Sequence, residues 1–363
     1  MAKYKLGDIC EIVSGSTPKT GIDEYWDGDV KWITPAELND DTYIINDSVR
    51  KITELAVKKT GLSPFPEGTV ILSSRAPIGK VAIAGCKMYC NQGFKNLICS
   101  EKINNKYLYW FLKSNTDYLK SLGRGATFKE ISKGIVSEIE INVPKIRKQV
   151  EIVAILEKVS EVIALRKQEL SMLDNLIKAR FVEMFGDVKH EEKYKGIPLR
   201  ELCITMSGGT PSTKNTEYYE GNIPWITTVS LGPNHIDGST AKGYITQEAI
   251  KNSATKLIPA GNILFGTRVG VGKSSINDVD ICTNQDIIAI IGIDENRFNR
   301  VFIKHVLDDY QPYYDSLKKG ATILGITSDD LKDTLIPDAP IDVQAEFVAF
   351  VDQVDKSKFM KSF

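Results

Sequence analysis

RKQVEIVAILEKVSEVIALRKQELSMLDNLIKARFVEMF, the run from Arg147 to Phe185, contains no Gly and no Pro. Its apolar residues Ile152, Leu156, Val159, Ile163, Leu170, Leu173, Ile177 and Met184 recur at alternating steps of four and three, with Arg166 and Arg180 as polar interruptions. That is a heptad seam, and a heptad seam requires a partner helix. Pro144 ahead of it and Gly186 behind it are the expected start and stop signals. At 1.5 Å per residue the helix reaches about 58 Å, against roughly 10–14 residues for an ordinary globular helix. A rod of that length separates two things.

On either side of the rod the chain says nearly the same thing. Ser14-Gly15-Ser16-Thr17-Pro18 returns as Ser207-Gly208-Gly209-Thr210-Pro211, an offset of 193. At the same offset Trp32-Ile33-Thr34 returns as Trp225-Ile226-Thr227, and Pro66-Glu67-Gly68-Thr69-Val70-Ile71-Leu72 as Pro259-Ala260-Gly261-Asn262-Ile263-Leu264-Phe265. Arg75 and Gly79-Lys80 match Arg268 and Gly272-Lys273, and Asn91-Gln92 matches Asn284-Gln285. The offset then becomes 195: Gly125-Ala126-Thr127 pairs with Gly320-Ala321-Thr322, Ile131-Ser132 with Ile326-Thr327, and Gln149 with Gln344. A period this long is a duplicated domain rather than a solenoid. Within a copy, β-rich runs (68–73, 81–84, 96–99) lie between turn residues. A helical pattern follows over 105–122, with Leu108, Phe111, Leu112 and Leu119 on one face. Each copy is an α+β globule.

Composition agrees. A chain of 363 residues suits two domains and a connector. Hydrophobic content of 42% and charged content of 26% are those of a globular protein. No apolar run has the length of a membrane span and the N-terminus lacks a signal-peptide core, so a cytoplasmic protein is expected. Six cysteines without regular spacing fit a reducing compartment, and Cys86 and Cys90 find no second pair or nearby His to complete a zinc site. No metal and no cofactor is expected. The formal charge of −1 argues mildly against a free-standing nucleic-acid binder, although locally basic faces remain compatible with it.

The motifs in this order, twice over, resemble the specificity subunits of type I restriction–modification enzymes. The resemblance covers the whole chain. It rests on S-G-x-T-P, on the W-I-T segment, on P-x-G-x-[VI]-[IL] leading to an Arg and Gly-Lys, on G-A-T followed by I-[ST], and on a proline-flanked, Gln-led helix closing each copy. It implies an α+β fold of two duplicated target recognition domains, residues 1–145 and 195–340, joined by the long helix at 146–187. A second, shorter helix at 341–363 would pack antiparallel on it with pseudo-two-fold symmetry. It also implies a non-catalytic reader of a bipartite site in double-stranded DNA, with two methyltransferase subunits and motor-nuclease subunits as partners. A specificity subunit of another methylation-based defence system, a silent variant used for recombination, and a tandem protein-interaction module are the competing readings.

The residues themselves permit several roles. Gly266 to Ser274 looks like a nucleotide-binding loop, but the position five residues before Gly272-Lys273 is Thr267, where a P-loop needs Gly. Arg75, Lys80, Arg268 and Lys273 suit phosphate contact or base readout; a solvated loop is the alternative. Gln92 and Gln285 have the chemistry to bond adenine bidentately, yet Asn-Gln equally suits a buried turn, and the structural reading is preferred. Thr17, Lys19, Thr210 and Lys214 lie in polar loops suited to the DNA backbone. Thr127 and Lys129 differ in context from Thr322 and its neighbours, so that loop is a candidate for reading half-sites differently. Trp32 and Trp225 belong to apolar runs and are expected in the core. His190, His235 and His305 have no repeat equivalents, and no N-P-P-Y or F-x-G-x-G methyltransferase motif occurs. No catalytic residue is assigned.

Ile152, Leu156 and Val159 correspond to Phe347, Val351 and Val354, so the tail repeats the start of the rod and stops 18 residues short of the counterpart of Gly186. Leu170, Leu173, Ile177 and Met184 are therefore expected to lack cover from within the chain, and self-association or a methyltransferase subunit is expected to supply it.

Overall fold

The structure, a computed structural model, describes residues 2–125, 129–186, 193–320 and 324–360. Two compact units divide it, Met1–Arg166 and Lys167–Phe363.

In the first unit a five-stranded sheet has the order Cys10–Ser14, Phe94–Cys99, Val70–Ser73, Val81–Ala84, Ile44–Ile45, antiparallel except for the last pair. A three-stranded sheet has the order Lys51–Ile52, Trp26–Ile33, Tyr89–Cys90, and Ala2–Lys5 pairs antiparallel with Glu140–Val143. Strand alternation sets the layers. Val70, Leu72, Val81 and Ile83 face one way, onto Leu108, Leu112 and Leu119 of the helical segments. Ile71, Ala82 and Ala84 face the other way, onto Ile33, Phe65 and Met88. The central strands are thus buried on both faces, which is why they read as unbroken apolar runs. The pattern at 105–122 forms two helices, Asn105–Ser114 and Thr116–Ser121. They part at Asn115, whose Nδ2 donates to Phe111 O (2.8 Å) while Thr116 Oγ1 donates to Lys113 O (2.8 Å). Side chains that bond the preceding turn's carbonyls compete with the helix ladder.

The second unit repeats this topology. Its five-stranded order is Ile204–Ser207, Ile287–Ile291, Ile263–Gly266, Ser274–Asn277, His235–Ile236. Its three-stranded order is Gly243–Ile245, Ile223–Ile226, Cys282–Thr283, and Gly196–Pro198 pairs with Leu335–Pro337. The duplicated α+β expectation is met strand for strand.

The helix Ile146–Phe185 runs unbroken through the unit boundary. Its start is tied to the first unit by Gln149, which is fully buried. The Gln149 Nε2 donates to Lys102 O (3.0 Å) and Pro144 O (2.8 Å), and its Oε1 accepts from Asn104 N (2.7 Å). The C-terminal helix Ile341–Met360 is tied to the second unit identically. Gln344 Nε2 donates to Arg297 O (3.0 Å) and Ala339 O (2.8 Å), and Oε1 accepts from Asn299 N (2.8 Å). Further along the first helix, Glu157 accepts from Lys106 Nζ (2.8 Å) and Tyr43 Oη (2.5 Å).

In the second unit the C-terminal helix packs antiparallel on the end of the long one, as expected. Arg180 pairs with Glu346 (2.7 Å) and Asp174 with Lys358 (2.8 Å), so one numbering rises as the other falls. Phe185 lies 4.7 Å from Phe302 and 5.5 Å from Phe347, centroid to centroid. Phe347, Val351 and Val354 are buried there. One expectation is corrected. Ile177 and Met184 are only 6% and 7% exposed, Leu173 packs on the same core and Leu170 is half-buried, so this part of the seam is covered. The helix that covers it belongs to the same unit, which periodicity alone did not reveal. The seam is open in the first unit instead, and off the seam Met172, Leu176 and Val182 of the second unit are also exposed. Ile152 and Leu156 are half-buried, while Ile155, Val159, Val162, Ile163 and Leu165 are each more than half exposed.

Replacing Gln149 or Gln344 by Ala strands one buried N–H and two buried carbonyls. The expected loss is about 2–4 kcal/mol in chemical denaturation for either variant; an unchanged midpoint would remove the amide from its structural role.

Candidate functional site

The S-G-x-T-P loops follow the first strand of each five-stranded sheet and press against the Asn-Gln turns. In the first unit Ser16 N–H donates to Cys90 O (2.9 Å). In the second, Gly209 N–H donates to Thr283 O (2.8 Å). Glycine is required for the approach. A Cβ on Gly15 would stand 2.0 Å from Asn91 O, and one on Gly208 would stand 2.2 Å from Asn284 O. Trp32 and Trp225 are in the core as expected, and each indole also holds this loop, donating to Ser16 O (3.0 Å) and Gly209 O (3.1 Å) respectively. Trp26 and its counterpart Tyr219 do the same one step on, at Lys19 O (3.3 Å) and Pro211 O (2.7 Å).

Thr17 and Gln92 meet on this foundation. Thr17 Oγ1 donates to Gln92 Oε1, and in the second unit Thr210 Oγ1 donates to Gln285 Oε1 (2.5 Å). Both glutamines are exposed. The carboxamide is therefore neither buried nor loose: one lone pair is held by threonine, and its NH₂ group has no hydrogen-bond partner among the described residues.

The Arg and Gly-Lys segments form tight hairpins beside these turns. Gly79 N–H donates to Ser73 O and Gly272 N–H to Gly266 O, each at 3.0 Å. Ser74 N–H reaches Gly93 O (2.7 Å), just past Gln92, and Ile131 N–H reaches Ser74 O (2.9 Å). Thr267 and Ile326 repeat both bonds at 2.8 and 2.9 Å, on Asp286 O and Thr267 O. Four motifs far apart in sequence are thereby joined edge to edge in each unit.

Their charged residues are treated unequally. Arg75 Nε donates to Glu130 Oε2 (2.8 Å), whose other oxygen receives Lys95 (3.1 Å). Arg268 lies 3.9 Å from Asp286, a carboxylate on a different loop. Lys80 Nζ bonds the carbonyl of Leu38, whereas the Lys273 side chain is exposed with no hydrogen-bond or ion-pair partner among the described residues. Lys19, Lys129 and Lys214 are exposed. Thr127 and Thr322 lie outside the described residues, as does His190. Lys95, whose side chain is 8% exposed, and Glu130 were not singled out from the sequence. A lysine inside an apolar strand was the one available signal. Arg50, whose guanidinium carbon sits 3.9 Å over the Trp26 ring, was also missed.

Burial alone would raise the Glu130 carboxyl, but hydrogen bonds from Lys95 and Arg75 outweigh it and hold the pKa below the usual carboxylate range. Elsewhere, His235 pairs with Asp278 (2.8 Å). His305 lies against Phe347 and is pushed down to about 4, chiefly by burial, so it is neutral at physiological pH. Among the described residues no cluster of His, Cys, Asp or Glu fits a metal ion, and no helix is long and apolar enough to cross a membrane.

A family model described as the type I restriction modification DNA specificity domain matches residues 1–175 and 191–361. The type I restriction enzyme MjaIX specificity subunit of Methanocaldococcus jannaschii is 34% identical over 280 residues, which is 72% of this chain and 64% of that protein. The match thus spans slightly less than two thirds of that relative's length. A solved structure concerning complex assembly and conformational transition of the type I R-M system aligns with a TM-score of 0.60 at 19% identity, covering 99% of this chain and 91% of the other. The type I restriction–modification S subunit from M. genitalium aligns with a TM-score of 0.54 at 14% identity, over 99% and 90%. Both structures share the fold.

Gly208→Ala is expected to force the two loops apart, lowering stability by about 1–3 kcal/mol in urea melts, where Gly243→Ala, which meets open space, stays near wild type. Glu130 carries a depressed folded-state pKa, so its contribution is present at neutral pH and lost as pH falls through that value. Glu130→Gln is expected to flatten the acid side of the Tm–pH curve; a parallel curve would discount the clamp.

Proposed function

The chain belongs to the type I restriction–modification DNA specificity family, and on that premise we propose that it is the non-catalytic, sequence-reading subunit of a type I restriction–modification complex. The observation that carries this reading is one array built twice: a threonine-held, exposed glutamine beside an arginine hairpin, in each unit. Gln92 and Gln285 have the free acceptor and donor that adenine N6 and N7 require. Arg75 and Arg268 offer forked donors for guanine or phosphate, and Lys19, Lys80, Lys129, Lys214 and Lys273 supply backbone contacts with Thr17 and Thr210. Thr127 and Thr322, outside the described residues, are candidates from the sequence alone. Because the arginines are held differently in the two units, the half-sites read differ, and the site is bipartite and asymmetric.

Methyl transfer and cleavage are supplied by other chains in this reading. The exposed stripe Ile155, Val159, Val162, Ile163 and Leu165 is where a methyltransferase subunit docks, since an apolar stripe of this length marks an interface. The motor-nuclease subunits join through that assembly. The formal charge of −1 favours DNA binding shared with those partners over binding by this chain alone.

Methylome sequencing of the host with and without this gene is the direct test. One split adenine-methylated motif should vanish, and an unchanged methylome refutes the proposal. In the assembled complex, Gln285→Ala should cost about 1–3 kcal/mol and relax one base pair, while Lys273→Ala should weaken all sequences alike and reduce the salt slope by about one. Salt-insensitive binding would favour a protein-interaction module instead.

A further inference from the structure

Val269 sits at the apex of the second unit's arginine hairpin with a φ of 38°. A β-branched residue in the left-handed region is a genuine outlier, because its Cβ crowds the neighbouring carbonyl. Such a conformation persists only where the surroundings impose it. Here they do. Gly266 N–H donates to Lys273 O (2.9 Å), Gly272 N–H to Gly266 O (3.0 Å) and Lys273 N–H to Gly270 O (3.1 Å), closing the turn on itself. On the other side Thr267 is tied to Asp286 and Arg268 forms a backbone bridge with Gly325.

Folding makes no use of the side chain. Val269 is 55% exposed and belongs to none of the apolar clusters of its unit. Glycine, which occupies Gly266, Gly270 and Gly272 around it, would adopt this φ without strain. The apex therefore holds an apolar group out to solvent between two exposed cations, Arg268 and Lys273. Across the bridge at Gly325, Leu324 is a second exposed apolar residue at 54%. In the first unit the matching positions carry Ala76, exposed after Arg75, and Lys129. The two hairpins share their cations and differ in their apolar surface.

Resting on the proposed role in DNA reading, we propose that Val269 is a specificity-determining residue that reads a thymine 5-methyl group in the half-site bound by the second unit. The major-groove edge of a T·A pair is distinguished by that methyl, and aliphatic side chains recognise it by contact. Flanking cations hold the phosphate backbone and bring the rigid apex down on the base edge. The smaller Ala76 makes the first unit less demanding at the equivalent position.

The test uses the full chain assembled with its modification subunits and a DNA duplex carrying the motif found by methylome sequencing. Each thymine of the second half-site is replaced in turn by deoxyuridine, which deletes only the methyl. At one position wild type should lose about fourfold in affinity, the worth of one buried methyl. Val269→Gly, which relieves the backbone and so folds, should bind thymine and uracil duplexes equally. Wild type that binds the motif specifically yet ignores the methyl at every position overturns the inference alone. So does a Val269→Gly protein that keeps the uracil penalty. Wild-type complex that shows no sequence preference overturns the reading role and this inference together.

Discussion

Two buried carboxamides hold the architecture together. Gln149 and Gln344 each spend both amide protons on carbonyls and their oxygen on a backbone N–H, so each buried carboxamide is paired at both ends. A charged residue there would carry a desolvation penalty, and an apolar one would strand three backbone groups. Glutamine has the donor and acceptor count the junction needs. Because the bonds run from the helix to the segment just before Asn105–Ser114 or Arg300–Asp309, the helix leaves each globule in a fixed direction.

The same economy recurs at the functional loops. Glycine lets two backbones touch, a buried indole takes the carbonyl that faces it, and threonine fixes the glutamine that remains outside. Each exposed side chain proposed to read DNA is thus backed by a buried one. Preorganised donors lose less freedom when a ligand arrives, so under that proposal the exposed glutamines would gain discrimination from residues that never leave the interior.

Much of this was legible because the chain repeats. Gly15, Thr17, Trp32, Gln92 and Gln149 each return in the second copy, and each proves to make the same contact there. What did not repeat was not legible. Lys95 and Glu130 correspond to Ile288 and Gly325, so comparing the copies gave no sign of the clamp on Arg75. Asn-Gln was open to a buried turn as well as to base contact; Gln92 and Gln285 are exposed and held by Thr17 and Thr210, which lie 75 residues earlier in the chain. The heptad seam was real, but periodicity measures only that one face is apolar. Which part of that face is covered depends on where the C-terminal helix turns back, and Ile177 proved buried where Ile163 is not.

The arginine clamps bear on how such a chain can be rearranged. Arg75 is held by a carboxylate that follows the G-A-T loop, and Arg268 by one that follows the Asn-Gln turn. Each unit carries its own counter-charge, so neither arginine depends on the other unit for its anion. Exchanging a single loop would break that match. Grafting the second G-A-T loop onto the first unit would place glycine where Glu130 stands and leave Lys95 buried without an anion, while the reverse graft would crowd Arg268 with two. Arginine and anion sit on different loops of the same unit, so within each unit those loops are coupled by charge, closely in the first and loosely in the second.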